Sequence, residues 1–195
     1  MSATQIRLVQ DKDIPSILEI YRPYVLETAI SFEYEVPSNE DFKKRVQNIV
    51  CDYPYLVYLL DKNIVGYAYA HKHMERAAYQ WNAELSVYVY QGYMRRGIGR
   101  ALYGCLLEIL SLQHVLNVYG IVRTPNPNSE KLHESFGFRK VGTFIQTGYK
   151  LGCWHDVTWF EKSIGTHDSN PKPFLPIRKI NPQLVLEIMD SHSHM

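Results

Sequence analysis

The chain is poor in cysteine and has almost no net charge. Both features limit the kinds of protein it can be. Its cysteines, Cys51, Cys105 and Cys153, stand far apart among apolar and aromatic residues. This spacing favours reduced structural thiols over a disulfide framework or a metal site. Lys and Arg number 21 against 20 Asp and Glu, a formal net charge of +1. We therefore expect no nucleic-acid partner and no general need for an acidic one, so any basic site must be local.

Long apolar runs are also missing. No run approaches the roughly 18 residues of a membrane span, and the N-terminus lacks the charged-then-apolar pattern of a signal peptide. The sequence therefore predicts a cytoplasmic protein without a membrane partner. Its 195 residues suffice for one domain of ordinary size and a tail.

Prolines mark the expected boundary of that domain. Residues 165–176 contain three prolines among polar residues, a composition typical of a linker. Asn181-Pro182 then begins a short amphipathic pattern, which predicts a helix that docks on its own domain or on a partner. We expect a domain over residues 1–164 and a linker with a helical tail over 165–195. Residues 191–195 are expected to fray.

Hydrophobic periodicity alternates between two and about 3.6 residues along the chain, which predicts an α/β fold. The predicted order of elements is β-α-α-β-β-β-α-β-α-β-β. Strand patterns cover residues 5–9, 55–60, 64–70, 83–90, 115–122, 139–147 and 157–161, and helical patterns cover 14–25, 38–50, 97–112 and 126–136.

A Gly-x-Gly turn between a strand and a helix is the main ligand-binding pattern. Gly97 and Gly99 let the backbone approach a ligand closely, and the helix that begins there offers unpaired N–H groups and the positive end of its dipole. Arg95, Arg96 and Arg100 add positive charge. The pattern therefore predicts a phosphorylated cofactor.

The spacing around these glycines argues against two common phosphate sites. A P-loop needs Gly-Lys-Ser/Thr, and a dinucleotide site needs a third glycine where this chain has Leu102. The stretch instead resembles the pyrophosphate loop of the GNAT N-acetyltransferases, Q/R-x-x-G-x-G/A, which binds acetyl-CoA. Met94 occupies the Q/R position. That departure keeps a non-catalytic acetyl-CoA-binding sensor open as an alternative.

Three other segments resemble the phosphinothricin and methionine sulfone acetyltransferase branch of that family: Glu84–Val89, Leu132–Phe138 and Gly148–Val157. The resemblance covers about residues 4–163. It implies the GNAT fold, a mixed sheet of about seven strands with four flanking helices, and a homodimer. It also implies direct acetyl transfer from acetyl-CoA to the primary amine of a small amino-acid-like substrate within a ternary complex. A protein or peptide N-acetyltransferase is the alternative within this class.

Glu84 and His133 are the candidate catalytic residues. An alkylammonium is protonated at neutral pH, so transfer to it benefits from a general base. Strand alternation places Glu84 on one face with Ser86 and Tyr88, and the resemblance makes it the base. His133 stands where many GNAT enzymes have a tyrosine that assists the departing thiolate, and imidazole can donate a proton near neutral pH.

The resemblance assigns the other site residues to cofactor and acceptor. Main-chain N–H groups of the catalytic strand are expected to bind the acetyl and pantetheine parts. Asn126 also fits a helix cap before a proline. The candidate cofactor-binding residues are Val87, Tyr88, Val89, Arg95, Arg96, Gly97, Ile98, Gly99, Arg100, Asn126 and Ser129, and the candidate acceptor-binding residues are Phe32, Arg76 and Tyr79.

The acceptor itself stays open. Arg76 suits a substrate carboxylate as a bidentate partner. The phosphinothricin enzymes have a second basic residue two positions earlier, where this chain has Met74, so a different amino-acid-like amine is compatible. Trp154, His155 and Asp156 fit a role in the fold and a role in a dimer equally well.

Two histidines on one strand face, His71 and His73, permit a metal interpretation. The sequence shows no carboxylate or cysteine pattern beside them, so we expect no metal cofactor.

Overall fold

The computed structural model describes residues 3–193 as one mixed seven-stranded sheet with helices on both faces. The predicted α/β class and order of elements are confirmed, with one further helix in the tail. The strands are β1 Thr4–Leu8, β2 Tyr55–Leu60, β3 Asn63–Lys72, β4 Asn82–Val89, β5 Asn117–Thr124, β6 Arg139–Lys150 and β7 Cys153–Ser163. The helices are α1 Ile14–Leu26, α2 Asn39–Val50, α3 Ile98–Leu112, α4 Pro127–Ser135 and α5 Pro182–Ser193.

The sheet opens between its two central strands. Its order is β1-β2-β3-β4-β5-β7-β6. β4 pairs antiparallel with β3 along nearly its whole length, but it pairs parallel with β5 only at Asn82, Ala83 and Glu84. Beyond Glu84 the two strands diverge. Main-chain groups of β4 that point toward β5 past this residue therefore lose their strand partner and are open to other partners.

Each face of the sheet carries its own core. Leu85, Val87 and Val89 join the cluster around α3, whereas Tyr88 joins the cluster under α1 and α2. This division confirms the predicted alternation along β4. Tyr55, Tyr67 and Tyr69 stack in parallel on the α1 and α2 side, with ring centroids 4.8 to 6.4 Å apart.

The C-terminal segment lies back on the rest of the chain. α5 contacts α3 and β1, and its Val185 and Met189 are buried in the α3-side core. The linker is held by Trp81, whose Nε1 donates to the Lys172 carbonyl at 2.7 Å, and by Gln113, whose Nε2 donates to the Leu175 carbonyl at 2.9 Å. The predicted tail helix therefore docks on its own chain.

Some boundary predictions differ from the structure, most clearly in the tail and in the last two strands. Residues 191–193 complete α5 rather than fray, because Ser193 is buried and its hydroxyl accepts from the Ile6 N–H; residues 194 and 195 lie outside the described range. The last two strands are longer than predicted and meet at a tight turn. Leu151 and Gly152 adopt positive φ angles of 51° and 79° there. Within residues 3–193, no helix has both the length and the apolar character needed to cross a bilayer.

Candidate active site

A groove of about 320 Å³ runs between β4 and the first turns of α3 and α4. It collects side chains and backbone from segments that are far apart in the sequence. Most of the candidate cofactor-binding residues line it: Val87, Val89, Arg95, Gly97, Ile98, Gly99, Arg100, Asn126 and Ser129. Met94 also lines the groove, whereas Tyr88 and Arg96 do not.

The N-terminus of α3 faces this groove with free backbone donors. Gly97 precedes the helix with a φ of 82°, a left-handed conformation that favours glycine. The first intrahelical bond runs from the Ala101 N–H to the Gly97 carbonyl at 2.9 Å. The N–H groups of Ile98, Gly99 and Arg100 therefore have no intrahelical partner, and none of the described side chains caps them. Such a helix start binds anions.

Gly99 keeps the groove open. A Cβ built on this residue would lie 3.9 to 4.0 Å from the side chains of Val87, Val89 and Leu132, which border the same space. Nothing crowds that position. A larger side chain would fill the groove instead of disturbing the helix.

The arginines divide between the groove and its rim. Arg95 and Arg100 line the groove, and Arg100 also lies over the Phe136 ring at 5.3 Å. Arg96 stacks over the Tyr93 ring at 4.9 Å. The positive charge near the start of α3 is thus concentrated where the groove ends.

The N-terminus of α4 is closed by its own side chains. Asn126 Oδ1 accepts from the Ser129 N–H at 3.3 Å, as the cap pattern predicts. Glu130 Oε1 accepts from the Asn126 N–H and from the Thr124 hydroxyl, both at 2.7 Å. These bonds lower the pKa of Glu130. The two helix starts that border the groove therefore differ: the start of α3 has no side-chain cap, whereas Asn126 caps the start of α4.

A small cavity of about 70 Å³ occupies the divergence of β4 and β5, and His133 borders it. His133 Nδ1 lies 2.7 Å from the Ser129 carbonyl, so this nitrogen carries the proton. Its Nε2 therefore accepts from the Tyr103 hydroxyl at 2.9 Å. Burial lowers the pKa of His133, which keeps the ring neutral.

Gly120 makes room for this histidine. A Cβ at Gly120 would lie 2.0 Å from His133 Nε2, a separation that real atoms do not tolerate. Tyr103 borders the same cavity. The sequence did not identify it as a site residue, because its position on the buried face of α3 is also typical of core packing. Burial and the nearby charge of Glu84 raise the pKa of Tyr103.

The edge of β4 that faces β5 offers one free backbone N–H donor beyond the point where the two strands stop pairing. The Tyr90 N–H donates to the Val65 carbonyl of β3, so the two-residue alternation of an antiparallel pair turns the Tyr88 N–H toward β3 as well. The N–H groups of Val87 and Val89 point the other way. That of Val89 approaches the Tyr24 hydroxyl at 3.3 Å, so the Val87 N–H is the donor that faces the cavity.

Glu84 lies at the same divergence but on the opposite face from His133. Its side chain is about 20% exposed, and two imidazoles flank it. His71 Nε2 is 3.6 Å from Oε1, and His73 Nδ1 is 3.6 Å from Oε2. The strand pattern did not reveal this carboxylate beside the two histidines. No group of three or more His, Cys, Asp or Glu side chains suited to a metal occurs in the described part of the chain.

The candidate acceptor residues are only partly brought together. Phe32 packs on Gly148, where a Cβ would lie 2.5 Å from its ring. Arg76 and Tyr79 lie on the exposed connection between β3 and β4, and neither lines the groove or the small cavity beside His133.

The Gly148–Val157 segment holds the loop that carries Phe32. Lys150 is buried, and its Nζ donates to the carbonyls of Val25 and Ser31 at 2.6 and 2.5 Å. This burial lowers the pKa of Lys150. His155 Nε2 in turn donates to the Lys150 carbonyl at 3.0 Å. His155 therefore acts in the fold, while Trp154 remains 58% exposed.

Comparison with known proteins identifies this architecture. A family model described as an acetyltransferase (GNAT) domain matches residues 6–159. The chain belongs to the GNAT acetyltransferase family. It is an N-acetyltransferase, and the groove and the diverging strands lie within the matched region.

The relatives that this GNAT chain matches include acetyltransferases named for phosphinothricin and for methionine sulfoximine. It is 30% identical over 176 residues to a phosphinothricin N-acetyltransferase of Streptomyces viridochromogenes, covering 90% of this chain and 96% of that one. It is also 30% identical to an L-methionine sulfoximine/L-methionine sulfone acetyltransferase of Salmonella typhimurium, covering 83% and 95% of the two chains.

Solved GNAT structures share the fold. A phosphinothricin acetyltransferase of Sinorhizobium meliloti in complex with acetyl-CoA superposes with a TM-score of 0.83 at 31% identity, covering 88% of this chain and 93% of that one. A ribosomal-protein-alanine N-acetyltransferase of Brucella melitensis has a TM-score of 0.79 at 31% identity, covering 81% and 98%.

Proposed function

We propose that this GNAT enzyme transfers acetyl from acetyl-CoA to the primary amine of a small amino-acid-like substrate, by direct attack in a ternary complex. The observation that carries the proposal is the opening of the sheet after Glu84. This opening lies between the groove at α3 and a carboxylate on the other face. The relatives named for phosphinothricin and methionine sulfoximine support the acceptor class.

The groove fits acetyl-CoA. Unpaired N–H groups from Ile98 to Arg100, with the side chains of Arg95 and Arg100, suit the pyrophosphate. The open space beside Gly99 and the exposed edge of β4 suit an extended chain such as pantetheine. Met94 lines the groove at the position where the family pattern has Gln or Arg. The adjacent arginines supply the positive charge that Met94 lacks.

Glu84 is the proposed general base. It takes a proton from the acceptor ammonium, and the freed lone pair attacks the thioester carbonyl. The carbonyl oxygen becomes negative in the tetrahedral intermediate, and the Val87 N–H is the proposed donor to it. Collapse of the intermediate breaks the carbon–sulfur bond and expels the CoA thiolate, and the second proton that the nitrogen loses on becoming an amide ends on that sulfur as CoA thiol.

His133 and Tyr103 are proposed to stabilise that thiolate together. His133 Nδ1 is engaged with a carbonyl and its Nε2 carries no proton, so the ring itself has no free donor in the resting protein. The Tyr103 hydroxyl is the mobile donor of the pair and borders the same cavity. Turning it from His133 toward the sulfur supplies the hydrogen bond.

The acceptor is proposed to have a carboxylate and a neutral polar side chain. Arg76 is the proposed carboxylate partner, and Phe32 and Tyr79 are proposed to border the side chain. Met74 provides no charge for an anionic phosphinate. A sulfone or sulfoximine, which is neutral, does not require one. We therefore expect methionine sulfone and sulfoximine to be better acceptors than phosphinothricin.

An acceptor panel tests this function. Purified protein with acetyl-CoA is assayed for thiol release with methionine sulfone, methionine sulfoximine, phosphinothricin, methionine and a peptide with an N-terminal alanine. The amino acids should release CoA in a saturable way. The Brucella structure favours the peptide as the second candidate, and preference for it would replace the proposed acceptor. Acetyl-CoA binding without release from any amine would instead indicate a sensor.

A homodimer is proposed on separate grounds. The hairpin of β6 and β7 exposes apolar side chains close together in sequence, including Phe144, Ile145 and Trp154, which are 55%, 68% and 58% exposed. Such residues favour burial in an interface. Light scattering coupled to size exclusion should give twice the mass of the chain, and Ile145→Glu should return it to the monomer value. A monomeric parent protein would contradict the proposal.

A further inference from the structure

The register of β3 and β4 places His71 directly opposite Glu84. His71 Nε2 lies 3.6 Å from the nearer carboxylate oxygen, and His71 remains about 35% exposed at its side chain. The ring is thus close to the carboxylate and partly exposed to solvent.

The hydrogen bonds of His71 determine which nitrogen faces Glu84 as an acceptor. Its Nδ1 lies 2.9 Å from the Lys72 carbonyl, and because a carbonyl only accepts, Nδ1 carries a proton. In a neutral ring the bare Nε2 would then face a carboxylate, and two acceptors would oppose each other. A proton shared between Nε2 and Glu84 turns this repulsion into an attraction. His71 and Glu84 therefore attract each other when one proton lies between them.

The other groups that face His71 leave Glu84 as its partner. Arg45 of α2 and Glu33 line the cavity that His71 borders, and these two pair with each other at 2.5 Å. Lys72 lies 3.5 Å from Glu75. The phenols in that cavity are Tyr21, Tyr55, Tyr67 and Tyr69, and burial raises the pKa of each, so they stay neutral.

The balance at His71 favours the protonated ring. Burial lowers the pKa of His71, but the nearby Glu84 carboxylate, with the Lys72 carbonyl, raises it further than burial lowers it. The net pKa lies above that of an ordinary histidine. The raised pKa agrees with the hydrogen-bond geometry, which also favours a proton on Nε2 of His71.

His73 lies beside the other oxygen of Glu84. Its side chain is only 4% exposed, and its ring stacks on Tyr119 at 4.2 Å and meets the edge of Trp159 at 5.4 Å. Its Nδ1 is buried and finds no hydrogen-bond partner among residues 3–193. Because buried polar atoms are rarely left unpaired, this atom, 3.6 Å from Oε2, is well placed to orient the carboxylate.

We propose that His71 is the second group of the proton route, receiving at Nε2 the proton that Glu84 takes from the acceptor, while His73 orients Glu84. This inference rests on the proposed function and deepens it. Above the pKa of the pair, where Nε2 is bare, the acceptor ammonium gives one proton to Glu84, Glu84 passes it to His71 Nε2, and the imidazolium releases it to solvent. The pair returns to its starting charge, and the other ring proton stays on Nδ1, which donates to the Lys72 carbonyl throughout.

The first test needs no turnover. Imidazole signals of the ligand-free protein are titrated by nuclear magnetic resonance in the parent and in Glu84→Gln. His71 should titrate above an ordinary histidine in the parent and at lower pH in the variant, since the charge that holds its proton is gone. An unchanged His71 titration would overturn the inference, whatever the activity of the enzyme.

The second test follows turnover with a saturating acceptor. In the parent, kcat should rise as pH passes through the raised pKa of the pair, because only then can the pair accept a proton. His71→Gln should move that rise to lower pH and reduce the plateau by about tenfold, less than the ~10²–10⁴-fold expected for a base itself. The acceptor's own ionisation is the same in both proteins, so the displacement reports the enzyme group.

Rescue separates a relay from a structural role. Imidazole in the buffer should restore part of the turnover of His71→Ala, and acetyl-CoA affinity should match the parent. His167→Gln, at an exposed histidine far along the chain, should leave the pH profile unchanged. A superimposable profile for His71→Gln, or no response of His71→Ala to imidazole, would overturn the inference. A parent that acetylates no amine would overturn the proposed function, while the titration would still decide the pairing.

Discussion

The two faces of the sheet at the divergence of β4 and β5 are made of different chemistry. The α3 face has glycines, unpaired N–H groups and arginines around an open groove. The opposite face has a carboxylate, two imidazoles and stacked tyrosines. We propose that anion binding and proton abstraction are separated by the sheet and meet at its opening. Substitutions at Glu84 and its histidines should change turnover without changing cofactor affinity, and substitutions at the start of α3 should weaken cofactor binding.

Glu84→Gln should have the largest effect. It removes the proposed base while keeping the shape of the side chain, so kcat should fall by about 10²–10⁴-fold. Calorimetric titration should give an acetyl-CoA affinity within about twofold of the parent, since Glu84 does not line the groove. Glu75→Gln, at a carboxylate whose side chain is 93% exposed, is the matched control. A parallel loss of acetyl-CoA affinity in Glu84→Gln would contradict the proposed separation of the two faces.

Lys150→Met should come next and should act on stability. It removes a buried charged donor from two carbonyls, so the free energy of unfolding should fall by about 2–4 kcal/mol. The loop that carries Phe32 should loosen, and the KM for the acceptor should rise more than the KM for acetyl-CoA. Urea denaturation and steady-state kinetics measure both. The exposed Lys140→Met is the control, and a rise confined to the KM for acetyl-CoA would contradict this role.

Gly99→Leu tests the groove. The added side chain would occupy the space beside Val87 and Val89, so acetyl-CoA should bind at least about tenfold more weakly, a loss of about 1.4 kcal/mol. Thermal unfolding should be nearly unchanged because leucine is a good helix former. Gly142→Leu, where a Cβ meets nothing within 4 Å, is the control. Unchanged affinity would place the cofactor elsewhere.

Arg95→Gln should have the smallest effect. Removing one exposed charge near the helix start should weaken acetyl-CoA by about two- to fivefold at low salt, and less at high salt where charges are screened. Arg96→Gln should weaken it less, because Arg96 stacks on Tyr93 and does not line the groove. Titrations at two salt concentrations compare them. A larger effect at Arg96 would reverse the assignment of the two arginines.

Local sequence patterns were sufficient to predict the order of helices and strands and one half of the candidate site. The period along β4 predicted that Glu84, Ser86 and Tyr88 share a face, and the glycines at 97 and 99 predicted the open helix start. Each of these features depends on a few neighbouring residues. Backbone conformation and side-chain alternation are local properties, so the sequence expresses them directly.

Contacts between distant segments were not predictable in this way. His71 and His73 meet Glu84 only through the register of two strands, and their pattern alone had suggested the absence of a carboxylate neighbour. Tyr103 reaches His133 only because Gly120 leaves room between them. Register and packing are set by the whole sheet. A periodic pattern cannot specify them without the fold.

A crystal structure with CoA and a non-reactive acceptor amino acid would test the separation of the two faces most directly. We expect the CoA pyrophosphate at the N–H groups of Ile98 to Arg100 and the acceptor amine within hydrogen-bond distance of Glu84 on the opposite face. A complex in which both ligands lie on the α3 face, with Glu84 contacting neither, would contradict it.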